Sequence, residues 1–260
     1  MKSPVLLFLL SVVFICSSNS RANVRFNGTV EVIVIDAGHG GKDPGSISSG
    51  VREKDITLSI ALKLGKLIKT LHPAIKVIYT RDHDEFIELS ERSSIANREK
   101  ADLFISIHCN HNGNQTANGT ETYVMGTHKN EGNLQVAKRE NAAILLEDDY
   151  EKSYEGFDPN SAEAHIIFSF YQNAFMEQSI DFASKVEHAL SQRKTINKSR
   201  GVKQAGFLVL WRTAMPSVLI ESGFISNTAE RQYLTTAKGQ DEIAEALLVA
   251  FSSYKDEVEQ

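Results

Sequence analysis

VIVIDAGHGGKDPG, residues 32–45, is the stretch of sequence that decides the fold. Its run of β-branched residues, Val32 to Ile35, is typical of a strand that is covered on both faces of a sheet. The glycines on either side of His39 let the backbone turn sharply where this strand ends. Open α/β sheets bind their ligands at the carboxyl ends of their strands, so the imidazole of His39 is a candidate functional group.

The rest of the chain alternates strand patterns with helix patterns. Apolar residues recur at helical spacing over residues 53–71, 89–100 and 242–251, which predicts helices there. Further strands are predicted at residues 76–81, 102–108, 120–125, 207–210 and 218–220. The alternation predicts an α/β fold with a single domain, built on a twisted, mostly parallel sheet of about six strands with helices on both faces.

Two segments depart from this alternation. Residues 1–22 combine Lys2, an apolar run and small polar residues, which is typical of a signal peptide and predicts export to the periplasm or cell envelope. The apolar run is too short to span a bilayer as a stable helix, and no second run approaches that length, so we expect no integral membrane segment once the signal is removed. Residues 127–200 are helical in pattern and locally acidic, which predicts a helical insertion within the domain of residues 28–255.

Composition and charge narrow the class of protein. The chain of 260 residues is 42% hydrophobic and 23% charged, as is ordinary for a globular domain. Its formal net charge of -5 argues against a nucleic-acid partner held by phosphate contacts. Removal of the signal takes Cys16 with it and leaves Cys109 as the only cysteine, so the fold is expected to rely on its core and on no intramolecular disulfide.

Chemically capable side chains stand where predicted strands end. His39, His108 and Glu221 each follow an apolar strand, and Glu53 opens the first helix, where the helix dipole also favours a carboxylate. Two imidazoles and one carboxylate are the protein ligands of many catalytic zinc sites, and a second carboxylate can act as general base. Each residue taken alone also has a purely structural interpretation, and His111 is the best substitute ligand.

Phosphate binding is the other function that a glycine-rich turn suggests. Lys42 is followed by Asp43, where a P-loop needs Ser or Thr. The turn also lacks the third spaced glycine of a dinucleotide-binding fingerprint. The turn therefore matches neither template.

Four motifs in order resemble the zinc-dependent N-acetylmuramoyl-L-alanine amidases of the cell-division type. They are VIDAGHGG at 34–41, EKD at 53–55, SIHCN at 106–110 and PSVLIESGFISN at 216–227, and the resemblance spans about residues 30–251. It implies one Zn²⁺ ion held by His39, Glu53 and His108, with Glu221 as the catalytic carboxylate. It also implies a cell-envelope enzyme that acts on peptidoglycan in cell-wall remodelling or daughter-cell separation. The bond cut would be the amide between the lactyl group of N-acetylmuramic acid and the L-alanine of the stem peptide.

The resemblance also implies regulation and a substrate contact. Family members can carry a helical segment that covers the zinc until an activator protein removes it, and we predict that Glu140 or Glu147 of the insertion occludes the metal. The family commonly has a basic residue just after the predicted strand at 207–210; Trp211 stands there, and Arg212 one residue later is the candidate substrate contact.

Two other classes of function fit the sequence. A zinc peptidase that cuts within the stem peptide would use the same site. A non-catalytic peptidoglycan-binding or activator protein would be expected to lack one of the four site residues, and all four are present.

Overall fold

The computed structural model describes residues 28–159, 161, 163–164 and 174–260. The predicted signal peptide, residues 1–22, lies outside the described residues. Within the described part of the chain, no helix has both the length and the apolar character needed to cross a membrane.

A six-stranded sheet lies at the centre of the molecule. Across the sheet, the strands are β4 (Lys76–Tyr79), β1 (Val32–Ala37), β5 (Leu103–Asn110), β8 (Ser217–Phe224), β6 (Thr120–Met125) and β7 (Ser199–Ala205). The first four run parallel, β6 runs antiparallel to β8, and β7 runs parallel to β6. The predicted α/β fold with a mostly parallel sheet is confirmed. A separate hairpin pairs β2 (Ile47–Ser48) with β3 (Val51–Arg52).

Helices cover both faces of the sheet because the central strands are apolar on both faces. One face carries Ile33 and Ile35 of β1 and packs against α1 (Glu53–Leu71), α5 (Met176–Ser191) and α7 (Ala237–Val258). The opposite face carries Val34 and packs against residues of α2 (Leu89–Arg98), α3 (Glu131–Asn141) and the 3₁₀ helices Ala142–Leu146 and Leu208–Leu210. Two short helices, α4 (Tyr150–Ser153) and α6 (Thr228–Leu234), complete the described elements.

The prediction of a strand at residues 207–210 is wrong. Leu208–Leu210 forms a 3₁₀ helix whose three side chains are buried in the second core. A short apolar run alone does not distinguish a strand from another buried segment. The strand of this region is β7. It has no apolar sequence pattern, because its outer residues are polar and only Ala205 is fully buried.

The described residues of the segment predicted as an insertion, residues 127–200, fall into two parts. α5 packs against α7 and β6 and buries Phe182, Val186 and Leu190, so it belongs to the main helical layer. α3, the 3₁₀ helix that follows it and α4 lie on the other face, and the last turn of α3 reaches the carboxyl ends of β1 and β5. We call residues 131–153 the lid.

Candidate metal centre

The sheet topology brings the predicted site residues to one edge. β1, β5 and β8 are adjacent and parallel, so their carboxyl ends meet there. His39 lies two residues beyond β1, and His108 of β5 is paired in register with Glu221 of β8. Glu53 is the first residue of α1, which begins at the same edge.

The turn after β1 gives His39 an unusual backbone conformation. Its φ is 62°, in the left-handed region that residues with a side chain rarely adopt. A Cβ atom at Gly38 would clash with the ring of His108, and one at Gly45 would clash with the ring of His39. The two glycines therefore make room for the two imidazoles to approach each other.

Four side-chain atoms from separate elements converge at this edge. Nε2 of His39 and Nδ1 of His108 each lie 3.2 Å from Oε1 of Glu53. On the other side, Oε2 of Glu140 lies 3.2 Å from Nε2 of His39 and 2.9 Å from Nδ1 of His108. All four residues are buried, and their ligand atoms lie within 4.8 Å of one another. We call these four residues the metal cluster.

The metal cluster fits a four-coordinate ion. A tetrahedral ion with bonds of about 2.0–2.1 Å separates its ligand atoms by about 3.3 Å, close to the 2.9–3.2 Å between each imidazole nitrogen and each carboxylate oxygen. Nε2 of His39, Nδ1 of His108 and Oε2 of Glu140 are buried, yet none makes a hydrogen bond within the described part of the chain. Ligand atoms that point at a common centre have this geometry. Two imidazoles and two carboxylates are also donors that zinc accepts.

Groups around the metal cluster orient its members. Asp43 Oδ2 lies 2.7 Å from Nδ1 of His39, which fixes the ring tautomer and directs Nε2 at the other ligands. Glu53 accepts hydrogen bonds from the backbone N–H of Cys109 at 2.8 Å and of Ser46 at 2.9 Å, one on each carboxylate oxygen. Since these partners lie on two separate segments, the turn that follows β1 and the strand β5, the cluster is held by the fold and not by a single loop.

Glu221 is completely buried beside the metal cluster. Its Oε1 accepts a hydrogen bond from Nη2 of Arg139 at 3.2 Å, whereas Oε2 has no hydrogen-bond partner among the described residues. Burial and the nearby charge of Glu140 raise the pKa of the Glu221 carboxyl well above its usual range, and the Arg139 guanidinium opposes that rise. The arrangement provides a carboxyl group that can accept and return a proton.

Arg139 connects the lid to the site. Besides Glu221, its guanidinium donates to Oε1 of Glu140 at 2.9 Å, to the carbonyl of His111 at 2.9 Å and to Oδ1 of Asn110 at 3.2 Å. Arg139 and Glu140 are adjacent in the last turn of α3, so one helix end contacts both the metal cluster and Glu221.

The structure separates the remaining predicted residues. Glu147 is not part of the metal cluster: its carboxylate accepts from the backbone N–H of Leu89 and from Tyr154 Oη, each at 2.7 Å, so it joins the lid to α2. Arg212 lies 3.9 Å from the centre of the Trp211 ring and pairs with Glu155, and neither partner belongs to the metal cluster.

A cleft of about 510 Å³ adjoins the metal cluster. His39, Asp43 and His111 line it, and so do Leu145 and Leu146 of the lid. His111, the predicted substitute ligand, faces this cleft without joining the cluster.

Sequence reasoning missed two residues of the site. Asp43 carries a usable signal, because it follows His39 by four residues in a glycine-rich turn that folds back on itself. Arg139 carries none beyond its position beside Glu140, because a basic residue in a polar helix is ordinarily on a solvated face.

Several known proteins are similar to this chain in sequence and in structure. A sequence model of the family described as N-acetylmuramoyl-L-alanine amidase matches residues 33–252. The chain is 34% identical over 226 residues to N-acetylmuramoyl-L-alanine amidase AmiC of Escherichia coli O6:H1, covering 86% of this chain and 52% of that protein. It is 31% identical over 243 residues to AmiA of Escherichia coli K12, covering 92% of this chain and 81% of AmiA. The chain therefore spans about half of the first relative and most of the second.

A solved structure shows the same fold. It is the CwlD amidase from Clostridioides difficile in complex with the GerS lipoprotein, with a TM-score of 0.62 and 25% sequence identity. The match covers 86% of this chain and 98% of that one.

Proposed function

Since the chain belongs to the N-acetylmuramoyl-L-alanine amidase family, a family of hydrolases, we propose that it is a zinc enzyme that cleaves peptidoglycan. The bond cut is the amide between the lactyl group of N-acetylmuramic acid and the L-alanine of the stem peptide. His39, Glu53 and His108 hold the zinc. The observation that carries the proposal is the convergence of their buried ligand atoms beside a buried second carboxylate, Glu221.

The chemistry divides between the ion and the chain. When bound, zinc supplies a Lewis acid that polarises the scissile carbonyl and lowers the pKa of a water molecule. Glu221 accepts the proton of the water that attacks the lactyl carbonyl and returns it to the departing alanine nitrogen. Asp43 keeps the His39 ring in the ligand orientation throughout. The products are a carboxylate on the glycan and a free amine on the peptide.

The lid holds this site in an inactive state. Glu140 occupies the position beside His39 and His108 that a substrate carbonyl and water need in a catalytic zinc site. Arg139 pairs with Glu221 and reduces its ability to take a proton. Both contacts come from the end of α3, so displacement of that helix relieves both. Glu140 thus takes the occluding role, and Glu147 anchors the lid.

An activator protein displaces the lid in this proposal. Leu145 and Leu146 are 46% and 39% exposed, large fractions for leucine side chains, and they lie just beyond Glu140. CwlD, a structural neighbour, is in complex with a lipoprotein. Residues 1–22 direct the chain to the periplasm or cell envelope, where peptidoglycan is found.

A digest of purified peptidoglycan tests the activity. The full chain and its Glu140→Gln variant are incubated with the substrate, with and without a chelator, and the products are identified by mass spectrometry. We expect intact stem peptides with a free L-alanine amine, and their loss with chelator. Shortened peptides that stay attached to the glycan would instead identify a zinc peptidase, and no product from either protein would contradict enzymatic function.

The Glu140→Gln variant tests the closed state of the lid. Removal of the carboxylate from the metal cluster should raise basal hydrolysis by about 5–150-fold, the range of typical coupling between two sites. The matched control is Glu131→Gln, which changes an exposed carboxylate at the other end of α3, outside the cluster, and should leave the basal rate as in wild type. Equal basal rates for wild type and Glu140→Gln, both with zinc bound, would contradict occlusion by Glu140.

A further inference from the structure

Two arginines are completely enclosed behind the metal cluster. Arg81 and Arg92 are 2% and 1% exposed and are the largest fully buried side chains of the described residues. Burial of a guanidinium is costly unless its donors are satisfied. The acceptors of their hydrogen bonds therefore indicate which part of the structure these two arginines stabilise.

Their main acceptors are three successive backbone carbonyls where β1 ends. Ala37 O accepts from Arg81 Nε at 2.9 Å and from Arg92 Nη1 at 2.8 Å. Gly38 O accepts from Arg81 Nη2 at 2.9 Å, and His39 O accepts from Arg92 Nη2 at 2.8 Å. The backbone of the turn that carries His39 is thus fixed by an arginine hydrogen bond at each of residues 37, 38 and 39.

Each arginine also joins this turn to a second part of the site. Nη2 of Arg81 donates to Lys54 O at 2.9 Å, in the first turn of α1 next to Glu53. Nη1 of Arg92 donates to Asp36 Oδ1 at 2.8 Å, and the other oxygen of Asp36 accepts from Ser106 Oγ at 2.6 Å, two residues before His108. The arginines therefore connect the segments of all three predicted zinc ligands.

We propose that Arg81 and Arg92 are positioning residues of the zinc site. They hold the carbonyls of residues 37–39 so that His39 keeps its left-handed backbone, which is unfavourable for a residue with a side chain, and aims Nε2 at Glu53 and His108. A guanidinium presents several donors in a fixed plane, and a lysine ammonium is a single point that cannot hold two carbonyls in that geometry. The inference rests on the proposed zinc site.

Arg92→Lys tests this role because it keeps the charge and removes the planar fork. Zinc affinity of the full chain is measured by competition with a chromogenic chelator, and the absorption spectrum of the Co²⁺-substituted protein reports ligand geometry. We expect about 10–100-fold weaker zinc binding, the usual effect of removing an outer partner of a metal ligand, together with a changed Co²⁺ spectrum. Arg81→Lys should act in the same direction.

The matched control is Arg193→Lys. Arg193 is 7% exposed and donates to the carbonyl of Leu190 on α5, outside the metal cluster. This variant should lower the unfolding temperature as a buried substitution does, and leave zinc affinity and the Co²⁺ spectrum as in wild type. A purely structural role for Arg92 predicts the same outcome for both variants.

A second variant keeps the test decisive if Arg92→Lys does not fold. Thr57 Oγ1 donates to Gly38 O at 2.8 Å and accepts from Arg81 Nη2 at 3.2 Å, so Thr57→Val removes one hydrogen bond from the same turn and one acceptor of Arg81. Loss of one such bond, about 1 kcal/mol, should weaken zinc binding by about fivefold. Wild-type affinity and spectrum in Thr57→Val, or in a folded Arg92→Lys, would overturn the positioning role. A wild-type chain that binds no zinc would instead refute the metal site itself.

Discussion

At the residue scale, two buried carboxylates of one site are prepared for different roles by their neighbours. Glu53 receives one backbone N–H on each oxygen and faces two imidazoles, so its charged form is favoured and its pKa is lowered in spite of burial. Glu221 has one arginine contact, and burial dominates and raises its pKa. The first environment suits a fixed ligand, and the second suits a group that exchanges a proton.

Glu221→Gln should separate these two roles. In the Glu140→Gln background, where the lid does not mask the rate, we expect zinc content to stay near one ion per chain and peptidoglycan hydrolysis to fall by about 10²–10⁴-fold. Glu187→Gln is the control, because Glu187 is also a buried carboxylate and accepts from Thr120 and Thr122 away from the metal cluster. Retention of more than about a tenth of the rate in Glu221→Gln would argue against a proton-transfer role.

The convergence of His39, Glu53 and His108 could be predicted because each follows or begins an element with a strong pattern. The carboxyl ends of adjacent parallel strands must meet, so a correct pattern places their terminal residues correctly. The positions of Arg139 and Arg212 could not be predicted in this way. Their positions depend on how helices pack after the chain leaves the sheet, and hydrophobic spacing carries no information on which polar side chain faces which partner.

At the element scale, α3 is a short helix with two opposite charges at its end. Asn130 caps its first turn by accepting from the backbone N–H of Asn133, and Arg139 and Glu140 close its last turn. A carboxylate at a helix carboxyl end is unfavourable with the helix dipole. The position of Glu140 is therefore favourable only because the imidazoles, Arg139 and the proposed ion compensate it.

Arg139→Gln and Glu140→Gln should be strongly coupled. Either change weakens the docking of the same helix, so each should raise basal hydrolysis, and the double variant should exceed the more active single variant by no more than about threefold. A double-mutant cycle on initial rates measures this. Lys138→Gln, on the same helix and with no contact to the metal cluster, supplies the control pair and should combine additively with Glu140→Gln. Additive effects of Arg139 and Glu140 would mean that they act independently.

Strands covered on both faces give the clearest sequence pattern. β1, β5 and β8 read as continuous apolar runs, whereas β7 lies at the edge of the sheet and keeps polar residues on its open side. The 3₁₀ helix Leu208–Leu210 is as apolar as a strand because it packs in the core between elements. The apolar pattern at residues 207–210 therefore indicates that these residues are buried and does not indicate that they form a strand.

At the scale of the whole molecule, the metal cluster joins the turn after β1 to α1, β5 and α3, segments distributed over residues 38–141. Zinc that binds only the folded chain should therefore act as a cross-link. At a hundred times its dissociation constant it would add about 2.7 kcal/mol, which raises the unfolding temperature of a domain of this size by about 5–11 °C.

Calorimetry with zinc and with chelator measures that shift. His108→Ala should lose it, and His111→Ala should keep it, because His111 lies in the cleft outside the cluster. Because both variants replace a histidine by alanine, their difference distinguishes the predicted ligand, His108, from the substitute ligand, His111. An undiminished shift in His108→Ala would move the metal site elsewhere in the molecule.

The participation of Glu140 in the metal cluster ties the occupancy of the site to the position of the lid. By thermodynamic linkage, if the ion favours the closed lid by some factor, then opening the lid weakens the hold on the ion by the same factor. A partner that displaces α3 must therefore overcome the coupling free energy between zinc binding and lid closure as well as the packing of the helix. A chelator should accordingly remove zinc more readily from the open form of the enzyme than from the closed form. The rate of zinc loss to a chelator would therefore measure the fraction of molecules in which the lid is open.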